Sequence, residues 1–303
     1  MNDLEESIFK TVIYFDGFSR PLKEKEVLEN LQTIDNKEEV FFQTMRESLN
    51  SIPNLEKKGD FCFLKGRENL VEERTKREAV SRENFLKIKR IAEKINFLPF
   101  IKGVFVSGSL SIYNSDEKSD IDLLIVSKSG RIFTVRFFLT LLLSLMGVRK
   151  TRDNRAGRVC LNHFLAEDNL KMSYPSLYNA YSYLHLLPIL NRDNVFEKFR
   201  EKNEWMKRYL QFADMTFSPP FKIEEKSKTA MFLEKIFSGA LGDWLEKRLK
   251  LVQVRRKERN YPLGVKKGRV ILDDKLIELH PDSPEKKILE SYQQKINDIS
   301  LRI

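Results

Sequence analysis

Along the first part of the chain, apolar residues recur at helical spacing. Leu4, Ile8, Phe9, Val12 and Ile13 fall on one face of a helix over residues 3–16. Pro21 precedes LKEKEVLENL, which predicts a second helix with proline at its start. VFFQTMRESLNSI predicts a third, stopped by Pro53. In LEKKGDFCFL the turn Lys58-Gly59-Asp60 separates a polar arm from an apolar one, the pattern of a hairpin. Residues 68–95 are charged, but Phe85, Ile88, Ile91, Ala92 and Ile95 mark one apolar helix face within them. Their mixed charges predict a solvated face.

The pattern then changes. Residues 104–107 and 121–126 are short continuous apolar runs, the signature of buried strands. Residues 115–119 form a polar loop between them. Residues 132–146 predict an apolar helix ended by Gly147, and RVCLNHFL (158–165) a third strand. Beyond residue 170 the chain reads as mainly helical. The aromatic stretch MSYPSLYNAYSYLHLLPIL comes first, followed by an amphipathic helix through VFEKFREKNEWMKRYLQF. The breaker-rich SPPFKIEEKSKT precedes a further helix, AMFLEKIFSGALGDWLEKRLKLV. GRVILDDKLIELHP predicts a hairpin around Asp273-Asp274, and PEKKILESYQQKIND a final helix. The expected class is α+β, a small mixed sheet flanked by helices. The expected divisions are a front module (1–67), a connecting helix (68–97), a sheet domain (98–170) and a mainly helical part (171–303).

Composition sharpens this picture. The 303 residues carry a net charge of +10, a surplus that attracts nucleic acid, nucleotide phosphates or another polyanion. Two cysteines, Cys62 and Cys160, are too few for a disulfide framework. The acidic start MNDLEES lacks the basic, apolar design of a signal peptide. The most apolar stretch, 137–143, is too short to span a bilayer. A cytoplasmic protein with no membrane association is therefore expected.

The chemistry concentrates in VFVSGSLSIYNSDEKSDIDLLIV. Alternate residues of a strand share a face, so Asp120 and Asp122 project together while Ile121 and Leu123 point inward. Two adjacent carboxylates repel, and a divalent cation relieves the conflict. Open carboxylate pairs suit Mg²⁺, which also takes phosphate oxygens. Gly108 lets the backbone approach a ligand closely, and Ser109 follows where amides and a hydroxyl can hold phosphate. Taken alone, Ser-Asp-x-Asp reads as a capped strand edge. The preceding strand and Gly-Ser, separated from Asp120 by ten residues, turn it toward function.

This segment resembles the signature of the DNA polymerase beta-type nucleotidyltransferase superfamily: apolar strand, Gly-Ser, about ten residues, Asp-x-Asp and an apolar run. The match covers about residues 100–165. The remaining layout resembles uncharacterised bacterial nucleotidyltransferase-domain proteins with a winged-helix-like front. The resemblance implies a nucleotidyltransferase fold and transfer of an NMP from an NTP to an acceptor, with release of pyrophosphate. It implies Mg²⁺ (or Mn²⁺) on Asp120 and Asp122, which would be the catalytic acids, and an NTP held by Gly108 and Ser109. Ser119, Arg149 and Arg152 are further candidates for the nucleotide; the last two lie in the Arg-rich stretch RKTRDNRAGR, whose planar forks suit phosphate.

One position departs from the family pattern. Many members carry a third carboxylate on a later strand. Here Asn162 and His163 occupy the matching segment, with Glu167 and Asp168 just beyond it. Asn162 is a candidate weak metal ligand, and His163 a candidate base that reads more readily as structural. His185 and His280 read as structural. Arg136, inside an apolar helix, needs either an acidic partner or a route to solvent. The acceptor stays open between nucleic acid, protein and small molecule. The alternatives to an enzyme of unknown acceptor are a nucleotide-sensing or DNA-binding regulator on the same fold, or an antitoxin-type transferase with a protein partner.

Overall fold

The structure is a computed structural model that describes residues 1–34, 42–151, 153–260 and 268–300. Its elements follow the sequence periodicities closely. In the front unit, helix α1 (Asp3–Asp16) begins at Asn2, whose side chain and that of Glu5 form a reciprocal cap. Strand β1 (Leu22–Lys23), helices α2 (Glu24–Glu29) and α3 (Phe42–Ser51), and strands β2 (Leu55–Lys58) and β3 (Phe61–Leu64) follow. The predicted hairpin is β2–β3, turning at Gly59 with φ +58°. β1, which the sequence reading put inside a helix, pairs instead with the other edge of β3. Residues 40 and 41 of the third predicted helix lie outside the described residues.

The 26-residue helix α4 (Leu70–Ile95) ties this unit to the next. Arg74, buried on α4, makes a two-pronged contact with Glu26, which also takes Arg20. Arg20 donates in turn to the Ile112 carbonyl at 3.1 Å. Ser81 on the same helix accepts the Ser115 amide at 3.1 Å. The front unit and α4 thereby hold the loop that leads into Asp120.

A six-stranded mixed sheet forms the second unit. Its strands are β4 (Ile101–Ser107), β5 (Ile121–Ser127), β6 (Val159–Ala166), β7 (Leu187–Asn191), β8 (Arg269–Leu272) and β9 (Leu276–His280), in the order β7-β4-β5-β6-β9-β8. Only β5 and β6 run parallel. Helix α5 (Gly108–Ser111) is a single turn between β4 and β5, and α6 (Ile132–Leu145) makes the crossover to β6. Helices α7 (Leu177–Leu184) and α8 (Val195–Lys202) follow, the latter running through a short 3₁₀ segment at Glu204–Arg208. Helices α9 (Lys228–Phe237) and α10 (Ala240–Asn260) replace the single helix expected across Ser238-Gly239. Helix α11 (Glu285–Ser300) closes the chain.

The class is α+β as expected, but the sheet draws on both sides of residue 170. β7, β8 and β9 all come from the part read as mainly helical. β8–β9 is the hairpin predicted at Asp273-Asp274, and β7 lies in the aromatic stretch whose four buried residues hid the strand. Two buried apolar clusters result, one shared by the front unit with α7 and α8, the other between the sheet, α4 and α6. Among the described residues, no helix is long and apolar enough to cross a membrane.

Candidate active site

β4 and β5 pair antiparallel, with Ser107 opposite Asp122. The end of β4 therefore turns directly beside the carboxylates. Gly108 makes this turn at φ +66°, a backbone region that L side chains rarely adopt. Space is limiting too: a Cβ on Gly108 would lie 2.9 Å from Asp122 Oδ2. Ser109 is half-buried, and its hydroxyl lies 3.2 Å from that of Ser115.

Asp120 and Asp122 point to one side, as the strand alternation predicts. Their oxygens and Cys160 Sγ lie within 4.8 Å of one another. Burial first, and then the Asp120 charge, push the Asp122 carboxyl above its usual range. Lys150 answers this charge by pairing with Asp120. Burial alone would lower the Lys150 ammonium, but the Asp120 bond and nearby Asp122 outweigh it and raise it. The Cys160 thiol is pushed up to about 12, by burial first and then by Asp122. It stays protonated at neutral pH, so the hard donors here are carboxylate oxygens, a set that fits Mg²⁺ or Mn²⁺ better than a thiolate-seeking ion.

Other sequence candidates fall around this centre in different ways. Asn162 Nδ2 donates to Asp122 Oδ1 at 3.3 Å and lies 2.8 Å from His280 Nε2. In this arrangement its amide nitrogen faces the carboxylate. Ser119 donates to Asp116 Oδ1 at 2.7 Å, and its carbonyl accepts the Gly157 amide at 2.8 Å, so it shapes the loop. Arg149 forms a bridge with Val159 and is depressed by burial and then by Arg256. Its neighbour Lys150, which the Arg-focused reading passed over, is the cation that reaches Asp120. Arg152 lies outside the described residues.

A cleft runs from this centre to the C-terminal hairpin. It holds about 620 Å³ of empty space, part of it open to solvent. Its floor includes Gly108, Asp122 and Asn162; α7 supplies Tyr178 and Ser182 as a wall; β8 and β9 supply Arg269, Glu278 and His280. β6 itself carries no acid. Glu167 lies past the far end of that strand, 3.5 Å from Lys102, and Asp168 pairs with Lys275. The acid that does face the cleft is Glu278, one strand further over and opposite His163.

Glu278 is buried, and both of its polar contacts fall on one oxygen, Oε1. Arg269 donates to it at 2.6 Å, and His280 Nδ1 lies 3.3 Å away. Burial would raise this carboxyl, but its contacts with His280, His163 and Arg269 bring it to about 2. His163 is itself pushed down to about 4 by burial, which makes it a weak base at neutral pH. His280, expected to be structural, is thus brought to the cleft by a hairpin more than a hundred residues away in sequence. Periodicity exposed the hairpin but could not reveal its register against β6. His185 does stay away, bonded to Asn30 at 2.6 Å and stacked on Phe217. Arg136, half-buried on α6, donates to Gln253 on α10 at 2.6 Å.

Three cations of the third helix and the hairpin in the front unit are similarly occupied. Arg46 and Lys57 both pair with Glu24, at 3.0 and 2.7 Å, and Lys58 pairs with Glu68 at 2.6 Å. Compared with family models, with curated proteins and with solved structures, the chain matches none.

Proposed function

We propose that the chain is a Mg²⁺- or Mn²⁺-dependent nucleotidyltransferase of the polymerase beta-like kind. It would move an NMP from an NTP to a hydroxyl of an acceptor: the acceptor oxygen bonds to the α-phosphorus as the bond to pyrophosphate breaks. The observation that carries this reading is the Gly108 turn, folded at positive φ onto Asp122 beside Asp120. Such a turn presents backbone amides to phosphate oxygens next to the carboxylates. Asp120 and Asp122 would hold the cation, which supplies charge stabilisation to the phosphates when bound. Gly108 and Ser109 would receive the triphosphate, Lys150 would add a cation at its rim, and Asn162 would hold Asp122 in orientation. The cleft toward Tyr178 and His280 would receive the acceptor hydroxyl, and the net charge of +10 favours nucleic acid as the acceptor.

A second reading, a nucleotide-sensing regulator on the same fold, draws on one specific observation. β6 offers Asn162 and His163 in place of a third acid, and Glu278 is tied to Arg269. The front unit's order of elements would give it a winged-helix-like module, although its exposed cations are largely paired with acids. Purified protein incubated with each α-³²P-labelled NTP, Mg²⁺ or Mn²⁺, and RNA or lysate separates the two. Label on an acceptor, lost in the folded Asp120→Asn/Asp122→Asn variant, supports transfer. Saturable NTP binding without label on any acceptor supports the regulator.

A further inference from the structure

Eleven of the sixteen large apolar side chains exposed among the described residues lie on α6, α9 and α10 or at the α6 cap. They are ordered in stripes. On α6, Phe137, Leu141 and Leu145 recur at four-residue spacing, and Leu145 is 78% exposed. On α10, Leu241, Trp244, Leu251 and Val252 fall along one side, with Trp244 56% exposed. On α9, Phe232 and Ile236 are likewise open, Phe232 at 64%. The three helices adjoin: Glu246 of α10 accepts the Phe133 and Thr134 amides of α6, and Phe237 of α9 contacts Phe138 of α6. Monomeric surfaces rarely expose so much apolar area in one region.

The charge around these stripes is one-sided. Lys235, Lys247, Arg248, Arg255 and Arg256 are exposed, and none forms an ion pair among the described residues. The acids of the same helices are mostly committed elsewhere. Glu234 takes the Phe100 amide and Lys226, Asp243 takes Arg131, and Glu246 is buried against α6. Arg248 lies over the Trp244 ring, so cation and apolar group share one side of α10.

We propose that the α6–α9–α10 face seats the protein on an anionic lipid surface, lying in the interface without crossing it. Aliphatic and aromatic side chains flanked by unpaired cations match the acyl boundary and the anionic headgroups together. A second copy of the chain fits less well, because a two-fold contact would set these cations against themselves. Nucleic acid would use the cations but leave Leu241, Leu251 and Val252 without a role, since base stacking calls for aromatic rings. The inference departs from the expectation of no membrane association, and it is independent of whether the chain transfers nucleotides.

The test is co-sedimentation of the full chain with phosphatidylcholine vesicles and with phosphatidylcholine–phosphatidylglycerol vesicles. Trp244 emission is followed in parallel in a Trp205→Phe background. The expected result is binding to the anionic vesicles alone, weakened by salt, with a blue shift of Trp244. Lys247→Ala/Arg248→Ala should weaken binding roughly thirty-fold, and Trp244→Ser should weaken it without changing the thermal midpoint. No binding to anionic vesicles overturns the proposal. So does binding that both variants leave unchanged. A stable dimer in light scattering that Trp244→Ser dissociates, without vesicle binding, overturns it in favour of a second copy.

Discussion

Replacing Gly108 with alanine tests the contact on which the site is built. The substitution meets two separable costs. An L residue at φ +66° is strained by roughly 1–2 kcal/mol. The new Cβ would also lie 2.9 Å from Asp122 Oδ2, closer than Cβ atoms pack. The backbone is fixed there by the pairing of Ser107 with Asp122, so the carboxylate is what must give. Gly130 isolates the first cost: it has φ +72°, and a Cβ there meets nothing within 4 Å. Gly130→Ala should lower the thermal midpoint by about 2–4 °C, and Gly108→Ala by more, because it carries the second cost as well. Only Gly108→Ala should lower nucleotide transfer, by about 10²-fold, the effect of displacing a catalytic group by a fraction of an ångström to an ångström. Thermal melts and labelled-NTP transfer on the two variants decide it. Wild-type transfer by a folded Gly108→Ala protein, or an equal loss in Gly130→Ala, would refute the reasoning.

Three further outcomes follow from contacts around the site. Glu26→Gln removes the charge that Arg20 and Arg74 share beneath the loop leading into Asp120; it should cost about 3 kcal/mol in denaturant unfolding, because buried Arg20 loses its carboxylate partner while Arg74 keeps only Glu78. His163 and His185 are held neutral by burial, at about 4 and about 3, against an ordinary value of 6.5. The unfolded chain therefore takes up these protons first, so their stabilisation is complete above pH 6.5 and falls as the pH drops from 6.5 toward 4 and 3. For His163 the fall amounts to on the order of 3 kcal/mol, and His163→Gln should show a shallower loss of stability in unfolding curves across that window. In Lys150→Met the Asp120 carboxylate loses its ammonium partner, so Mg²⁺ should raise the thermal midpoint more than it does in the wild type. An equal response in both proteins would show that Lys150 does not compete with the cation.

The sequence made the local parts of this site legible. Gly108, Ser109, Asp120 and Asp122 lie within fifteen residues, and the strand alternation that aims both carboxylates is a property of the chain alone. The buried runs at β4, β5 and β6 were readable for the same reason. Lys150 stands among the arginines of the same stretch, and nothing in the spacing singles it out as a cation that reaches Asp120. β7 was hidden by its own burial, since its four buried residues Leu187–Leu190 show no alternation, and only Pro188 marks the break from the preceding helix. The C-terminal side of the cleft was out of reach for another reason. Glu278 and His280 face Asn162 and His163 only because β9 pairs with β6, and that register is a tertiary fact.

That register makes the stability of the last hairpin and the geometry of the cleft the same set of contacts. Arg269 on β8 pairs with Glu278 on β9; Glu278 contacts His280; His280 contacts Asn162; and Asn162 donates to Asp122. Removing Arg269 leaves Glu278 charged and buried, which costs about 3–5 kcal/mol, whereas replacing the pair with apolar groups of similar size can come close to neutral. Arg269→Met should therefore destabilise the protein strongly, and adding Glu278→Leu should restore much of the loss. The cleft should not recover in the same way, because His280 then has no carboxylate to orient it. The double variant is expected to melt near the wild type yet transfer nucleotide more slowly. If it recovers both stability and full transfer, the chain from Arg269 to Asp122 is packing alone, and the acceptor side of the site lies elsewhere.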